Sequence, residues 1–176
     1  AIVEEISLPE LAWVPPIAAA MTTVEAATIY GDLARTRGGE LDPSVLRRVQ
    51  SGFFISGETY VQAARARVLF TRRMNALFGS VDLIATPTVA MPAPPRDAER
   101  MLVGGVDTAV REALLRDTRI FNVSRLPAVA MPTGFSSDGL PLSMQIAAPA
   151  FKDALALRAA HAYQQATDWH RARAAI

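Results

Sequence analysis

Two short apolar runs near the C-terminus constrain the fold most. Leu126–Met131 and Leu142–Ala148 flank a Gly/Ser/Asp-rich connection over Gly134–Gly139. Each run begins at or beside a Leu-Pro pair, and Pro132 closes the first. Proline cannot donate to a β-ladder, so these prolines are expected to bound the strands rather than sit inside them. The first run has no polar alternation, which predicts a strand buried on both faces. The second alternates in part, with Ser143 and Gln145 between Leu142, Met144 and Ile146. The pattern predicts adjacent core strands joined by a polar surface loop.

The rest of the chain interleaves helices with such strands. Ile2–Leu8 alternates enough for a strand closed by Pro9, and the early Glu-Glu pair with no basic region argues against a signal peptide. Ala18–Arg35 has helical spacing (Met21, Val24, Ala27, Ile29, Leu33), with Thr22 or Thr23 as its cap and Gly38-Gly39 as its stop. Asp42-Pro43-Ser44 opens a short helix to about Gln50. A long helix is predicted from Ser56-Gly57-Glu58 to about Phe78, its apolar stripe running through Tyr60, Ala64, Val68, Phe70 or Thr71, Met74 and Phe78.

Asp82–Ala85 reads as a short buried strand, Thr86–Pro95 as a proline-rich loop continued by Arg96–Gly105, and Thr108–Arg119 as a helix. A final helix covers Asp153–Ala166, and the tail Arg171–Ile176 is expected to fray. Together these predict an α/β fold: a three-layer mixed sheet with helices on both faces.

Composition excludes several functions. There is no cysteine, so disulfides, thiolate zinc sites and cysteine nucleophiles are out. The net charge of +1 gives no general attraction to nucleic acid or anionic membranes. Arg47, Arg48, Arg65, Arg67, Arg72 and Arg73 form a basic group, but no aromatic platform interleaves with them, so they read as a solvated helix face and nucleic acid is not expected as a partner. No apolar run approaches the roughly 20 residues of a membrane helix. His161 and His170 are the two histidines, and they supply neither a catalytic arrangement nor a metal site; no cofactor is called for. A hydrophobic content of 51% and a mean hydropathy of +0.19 suit strands buried on both faces, or a face covered by further chain.

The C-terminal order T-x-x-x-N, L-P-A-x-x-x-P-x-G-F, D-G-L-P-L-x-x-Q over residues 118–145 resembles the C-terminal hallmark of the amidase signature family. The upstream segments DLIATPT with APP (residues 82–95) and GFFISGETYVQAARAR (residues 52–67) resemble the family's strand-then-Pro-Thr and glycine-then-helix segments, in the same order. That family cleaves amides with a serine nucleophile, a cis-peptide serine and a lysine. Its Gly/Ser-rich signature is missing here: there is no GGSSGG-like run, and the single lysine, Lys152, has no serine near it in sequence. The resemblance thus implies that residues 1–176 are the C-terminal part of an amidase domain. The catalytic residues would come from an N-terminal part, which is the first partner expected. A small amide is the expected substrate, a homodimer is compatible with the reading, and the cytoplasm is the expected compartment.

Three residues are candidates for substrate binding. Arg67 stands two helical turns from Tyr60 on an otherwise apolar face. It can be a salt-bridged surface arginine, or it can fork onto a substrate group, as the resemblance to the amidotransferase branch implies. Thr86 flanks Pro87 just past a strand's carboxyl end, where ligands of open α/β sheets bind; it can border a pocket or simply fix a turn. Asn122, after the helix expected to end at Arg119, can cap that helix or line the acyl pocket, as the resembling motif implies.

The sequence departs from the family at Arg125 and Ser143, where glycine is usual, and at Leu115, where the tRNA-dependent amidotransferase branch has an aspartate. The last difference favours a general amidase over that branch. A non-enzymatic interaction domain with the same fold is the remaining alternative.

Overall fold

The computed structural model describes residues 1–173 and divides into two compact units, Ala1–Arg72 and Arg73 onward. Residues 1–8 form no strand: Ile2 and Val3 lie 94% and 89% exposed, and no neighbouring strand in the unit satisfies their backbone. A 3-10 turn, Pro9–Trp13, leads into α1 (Val14–Thr36). That helix begins before the expected Ala18 because Pro15 and Pro16 occupy its first turn, where a missing N–H costs nothing. Thr22 is therefore interior, its hydroxyl donating to the Ala18 carbonyl at 2.7 Å, and neither Thr22 nor Thr23 caps the helix.

Helix α2 (Pro43–Gly52) starts where expected. The Asp42 carboxylate accepts from the Ser44 hydroxyl and the Ser44 N–H, at 2.6 and 2.8 Å. Those bonds hold it below the usual carboxylate range. A side chain on Gly52 would run into the Thr23 carbonyl and the Ala27 methyl, so this glycine lets α2 close on α1. Helix α3 (Gly57–Leu77) is capped by Ser56, whose hydroxyl accepts from the Thr59 N–H at 3.1 Å. Its buried stripe is Ala63, Phe70 and Met74; Val68, expected in the stripe, is half exposed.

The second unit holds β1 (Ile84–Pro87), the hairpin β2 (Arg100–Val103) and β3 (Val106–Ala109), α4 (Val110–Arg116), α5 (Thr118–Ser124), β4 (Ala128–Phe135), β5 (Pro141–Ala147) and α6 (Asp153–Ala166). The strands expected to share a sheet do so, antiparallel in the order β1-β5-β4. Strand β1 lies two residues later than Asp82–Ala85, because Thr86 and Pro87 continue the ladder opposite Gln145 and Met144.

Pro132 sits inside β4 rather than at its end. It is tolerated because β4 is an edge strand with a register shift between Pro132 and Gly134. Burial is the reverse of the expectation. The central strand β5 is covered over Gln145–Ala147, while Ala128 and Ala130 of β4 are exposed. One sheet face (Val129, Met131, Met144, Ile146) packs on Ala159, Ala160 and Tyr163 of α6.

The expected loop through Gly105 contains the β2–β3 hairpin, turned by Gly104 and Gly105 at φ 58° and 81°. Met101 and Val103 pack with Met91, Val110 and Ala113. The helix expected over Thr108–Arg119 is instead the pair α4 and α5, broken at Asp117. An ion pair between Glu112 and the largely buried Arg119 spans the break. Helix α6 matches its predicted span, with exposed Lys152 at its N-cap. Beyond it the turn Trp169–Arg171 sets the Trp169 ring against Gly134 and edge-on to Phe135, with ring centroids 6.1 Å apart. The expected fraying of the tail concerns in part Ala174–Ile176, which lie outside the described residues.

Candidate functional site

The end of the three-stranded sheet opens into a hollow of about 600 Å³. Its floor is Ala85–Pro87 of β1 and Leu142–Met144 of β5. Its walls are Val89–Pro92 and Tyr163, and Thr133 of β4 completes the lining. No charged side chain lines it. The hydroxyls of Thr86, Thr133 and Ser143 give a mainly apolar cavity a few polar points, as small-molecule sites commonly have.

The strand register builds this polar edge. Thr86 pairs with Gln145 across β1 and β5. Gln145 is 4% exposed. Its amide N–H groups donate to the Thr86 hydroxyl and the Pro87 carbonyl, both at 3.1 Å. A buried amide in an apolar sheet requires such partners, and here they fix the last turn of β1 before it leaves the sheet. The Thr88 N–H extends the ladder to the Ser143 carbonyl at 3.1 Å, while the Thr88 hydroxyl is buried with no hydrogen-bond partner. Gln145 is not among the candidates the sequence offers; its signal is being the polar residue inside an apolar run.

The expected site residues fall in different places. Thr86 lines the hollow. Asn122 does not line it: the residue lies exposed within α5, not after a helix end, and the cap of α5 is Arg125 in the left-handed conformation (φ 60°, ψ 30°). A glycine fits that conformation without strain, which is the physical reason glycine suits this position. Arg67 belongs to the first unit. It lies half-buried in the α3 stripe between Ala63 and Phe70. Its side chain has no hydrogen bond or ion pair among the described residues, so no salt bridge explains it there. Tyr60, on the same face, donates to Glu25 at 3.2 Å.

No His, Asp or Glu lines the hollow, and no cluster that could hold a metal occurs among the described residues. His161 is exposed on α6, and among the described residues no helix is long and apolar enough to cross a membrane. The arrangement can bind and orient a ligand; a nucleophile with its base is not assembled at the hollow.

Comparison with known proteins gives a consistent picture. The family model described as Amidase matches residues 1–157. A protein of Mycobacterium tuberculosis named as an amidase, AmiD, is 32% identical over 150 residues, covering 85% of this chain and 31% of the relative. The A subunit of the glutamyl-tRNA(Gln) amidotransferase of Chloroflexus aggregans is 33% identical over 157 residues, covering 85% and 30%. The chain thus spans about a third of the length of these relatives. Among solved structures, an inhibitor-bound complex from work on the origins of an s-triazine catabolic enzyme matches with a TM-score of 0.90 at 26% identity, over 98% of this chain and 38% of that one. A 6-aminohexanoate cyclic dimer hydrolase in complex with substrate shares the fold, with a TM-score of 0.80 at 22% identity over 97% and 39%.

Proposed function

This chain belongs to the amidase family, and from that premise we propose that it is the C-terminal segment of a hydrolase cleaving carboxylic amide C–N bonds. The observation that carries the reading is the family match across residues 1–157 in a sequence with no GGSSGG-like run and one lysine. Two serines and a lysine would come from an N-terminal part of the same protein, which is the segment's main partner. There the serine would attack the amide carbonyl while backbone N–H groups hold the developing oxyanion; the C–N bond would break with the amine leaving protonated, and water would then hydrolyse the acyl-enzyme to the acid and free serine. The second unit contributes sheet, core and a binding surface at the Thr86 hollow; in the first unit, Arg67 is proposed separately as a contact for a polar ligand group.

Between the two kinds of relative, Leu115 favours the amidase. It places an uncharged side chain where the amidotransferase branch carries an aspartate. The reading predicts that the isolated 176-residue chain hydrolyses neither aryl nor aliphatic amides, whereas the full-length protein hydrolyses both in a serine-dependent manner. Turnover by the isolated chain above buffer, surviving rigorous purification, refutes the division of labour. An inert full-length protein refutes the enzyme.

A further inference from the structure

Met91 belongs to two structures at once. It is the buried residue in the stretch 88–99, at 6% exposure. On one side it lines the hollow beside β1 and β5. On the other it packs with Val110 and Ala113 of α4 and with Met101 and Val103 of the hairpin. Neither Met101 nor Val103 reaches the hollow. The chain leaves the sheet after the Thr88–Ser143 bond and rejoins a ladder at Arg100. In between, Pro92, Pro94 and Pro95 carry no N–H, and the backbone bond from the Ala98 N–H to the Pro95 carbonyl, at 3.2 Å, is local to the loop. The position of this wall is therefore set by where the Met91 side chain inserts.

We infer that Met91, braced by the β2–β3 hairpin, sets the length of apolar acyl chain the hollow accepts. The inference rests on the amide-hydrolase reading and adds a selectivity determinant to it. The occupant is an uncharged, apolar acyl chain, because no charged residue lines the cavity and its volume of about 600 Å³ is that of a small-molecule site. Methionine suits such a wall: its unbranched thioether repacks against differing neighbours where a branched side chain could not. The packing of Met101 and Val103 behind it limits how far it yields.

The test uses the full-length protein and two matched ligand series. Anilides of straight-chain acids, acetyl to octanoyl, report hydrolysis. Benzyl ketones of the same lengths, in which a methylene replaces the amide nitrogen, report binding without cleavage through the 13C-methyl resonances of Met91 and Met144. Both resonances are expected to shift saturably, and more so for longer chains.

Met91→Ala is expected to raise the octanoyl-to-acetyl ratio of kcat/KM, or of ketone affinity, about 10-fold. Val103→Ala, out of contact with the hollow, should raise it about 2- to 3-fold, whereas Leu102→Ala on the exposed face of β2 leaves it unchanged. Met91→Val carries the same test should Met91→Ala not fold. Hydrolysis with silent Met91 and Met144 methyls overturns the inference and leaves the enzyme reading standing. Shifting methyls without hydrolysis overturn the enzyme reading and leave the hollow as a binding site. A chain-length ratio unmoved or lowered in every Met91 variant, including one unmoved because kcat/KM falls equally for all lengths, shows Met91 to be a core residue only.

Discussion

Arg67 and Arg125 are two arginines in unusual settings, and they lead to opposite expectations. Arg67 lies in the buried stripe of α3 with no partner for its guanidinium among the described residues. Arg67 is half-buried, and the role proposed for it above is contact with a polar group of a ligand. Arg67→Lys keeps the charge and removes the planar fork. In the full-length enzyme it should raise KM for carboxylate-bearing amides and lower kcat/KM about 10- to 100-fold, from one charged contact of about 1.5–3 kcal/mol. The melting temperature should barely move; a clear drop with unchanged kinetics would mark Arg67 as structural.

Arg125 pays a conformational cost instead, at φ 60°. Arg125→Gly relieves it, offset in part by glycine's freedom in the unfolded chain. The net gain should be about 0.5–1 kcal/mol, or about 1–4 °C in Tm. A lower Tm in a thermal melt would show that the arginine side chain contributes more than its backbone costs. The glycine difference at residue 125 was legible from the family resemblance, but its meaning was not. Only the left-handed cap shows that the position concerns helix termination. Thr86 was legible because it follows a strand end. Gln145 was missed because its role depends on a cross-strand register between residues 59 apart.

Among the elements, the helices were the most legible: α2 and α3 begin within a residue of the expected starts because the Asp42 and Ser56 caps and Pro43 act locally, and α6, which has no side-chain cap, follows its alanine and leucine content. Strand burial was not legible, since an apolar run reads alike at an edge and at the centre. Ala128 and Ala130 face outward at no penalty, and central β5 buries a glutamine because β1 satisfies it. The hairpin did carry a signal, two glycines between short β-prone runs, which the surrounding prolines obscured. The α1–α2 pair gives an element-scale prediction. Gly52→Ala drives a methyl into the Thr23 carbonyl and Ala27. Because backbone must move, the cost should be about 1–3 kcal/mol, read as a lower urea midpoint. Gly39→Ala, with open space around its site, is the control. Equal midpoints for the two variants would show that α2 shifts freely on α1.

For the molecule as a whole, the outer edge of β4 has no strand partner among the described residues. Pro132 and the bulge at its side interrupt the donor row along that strand, as edge strands commonly require. Pro132→Thr restores a donor and a β-favouring side chain. The isolated chain should then self-associate in light scattering at concentrations where the parent sequence is monodisperse. Identical scattering from both would show that Pro132 does not guard the edge.

The two units carry one tryptophan each, Trp13 in the first and Trp169 in the second. Both are partly shielded, at 40% and 41% exposure. Intrinsic fluorescence therefore has a separate lamp in each unit. Replacing either tryptophan with phenylalanine leaves an emission signal belonging to one unit alone. Whether the halves melt together or in sequence becomes a question of whether two optical traces coincide.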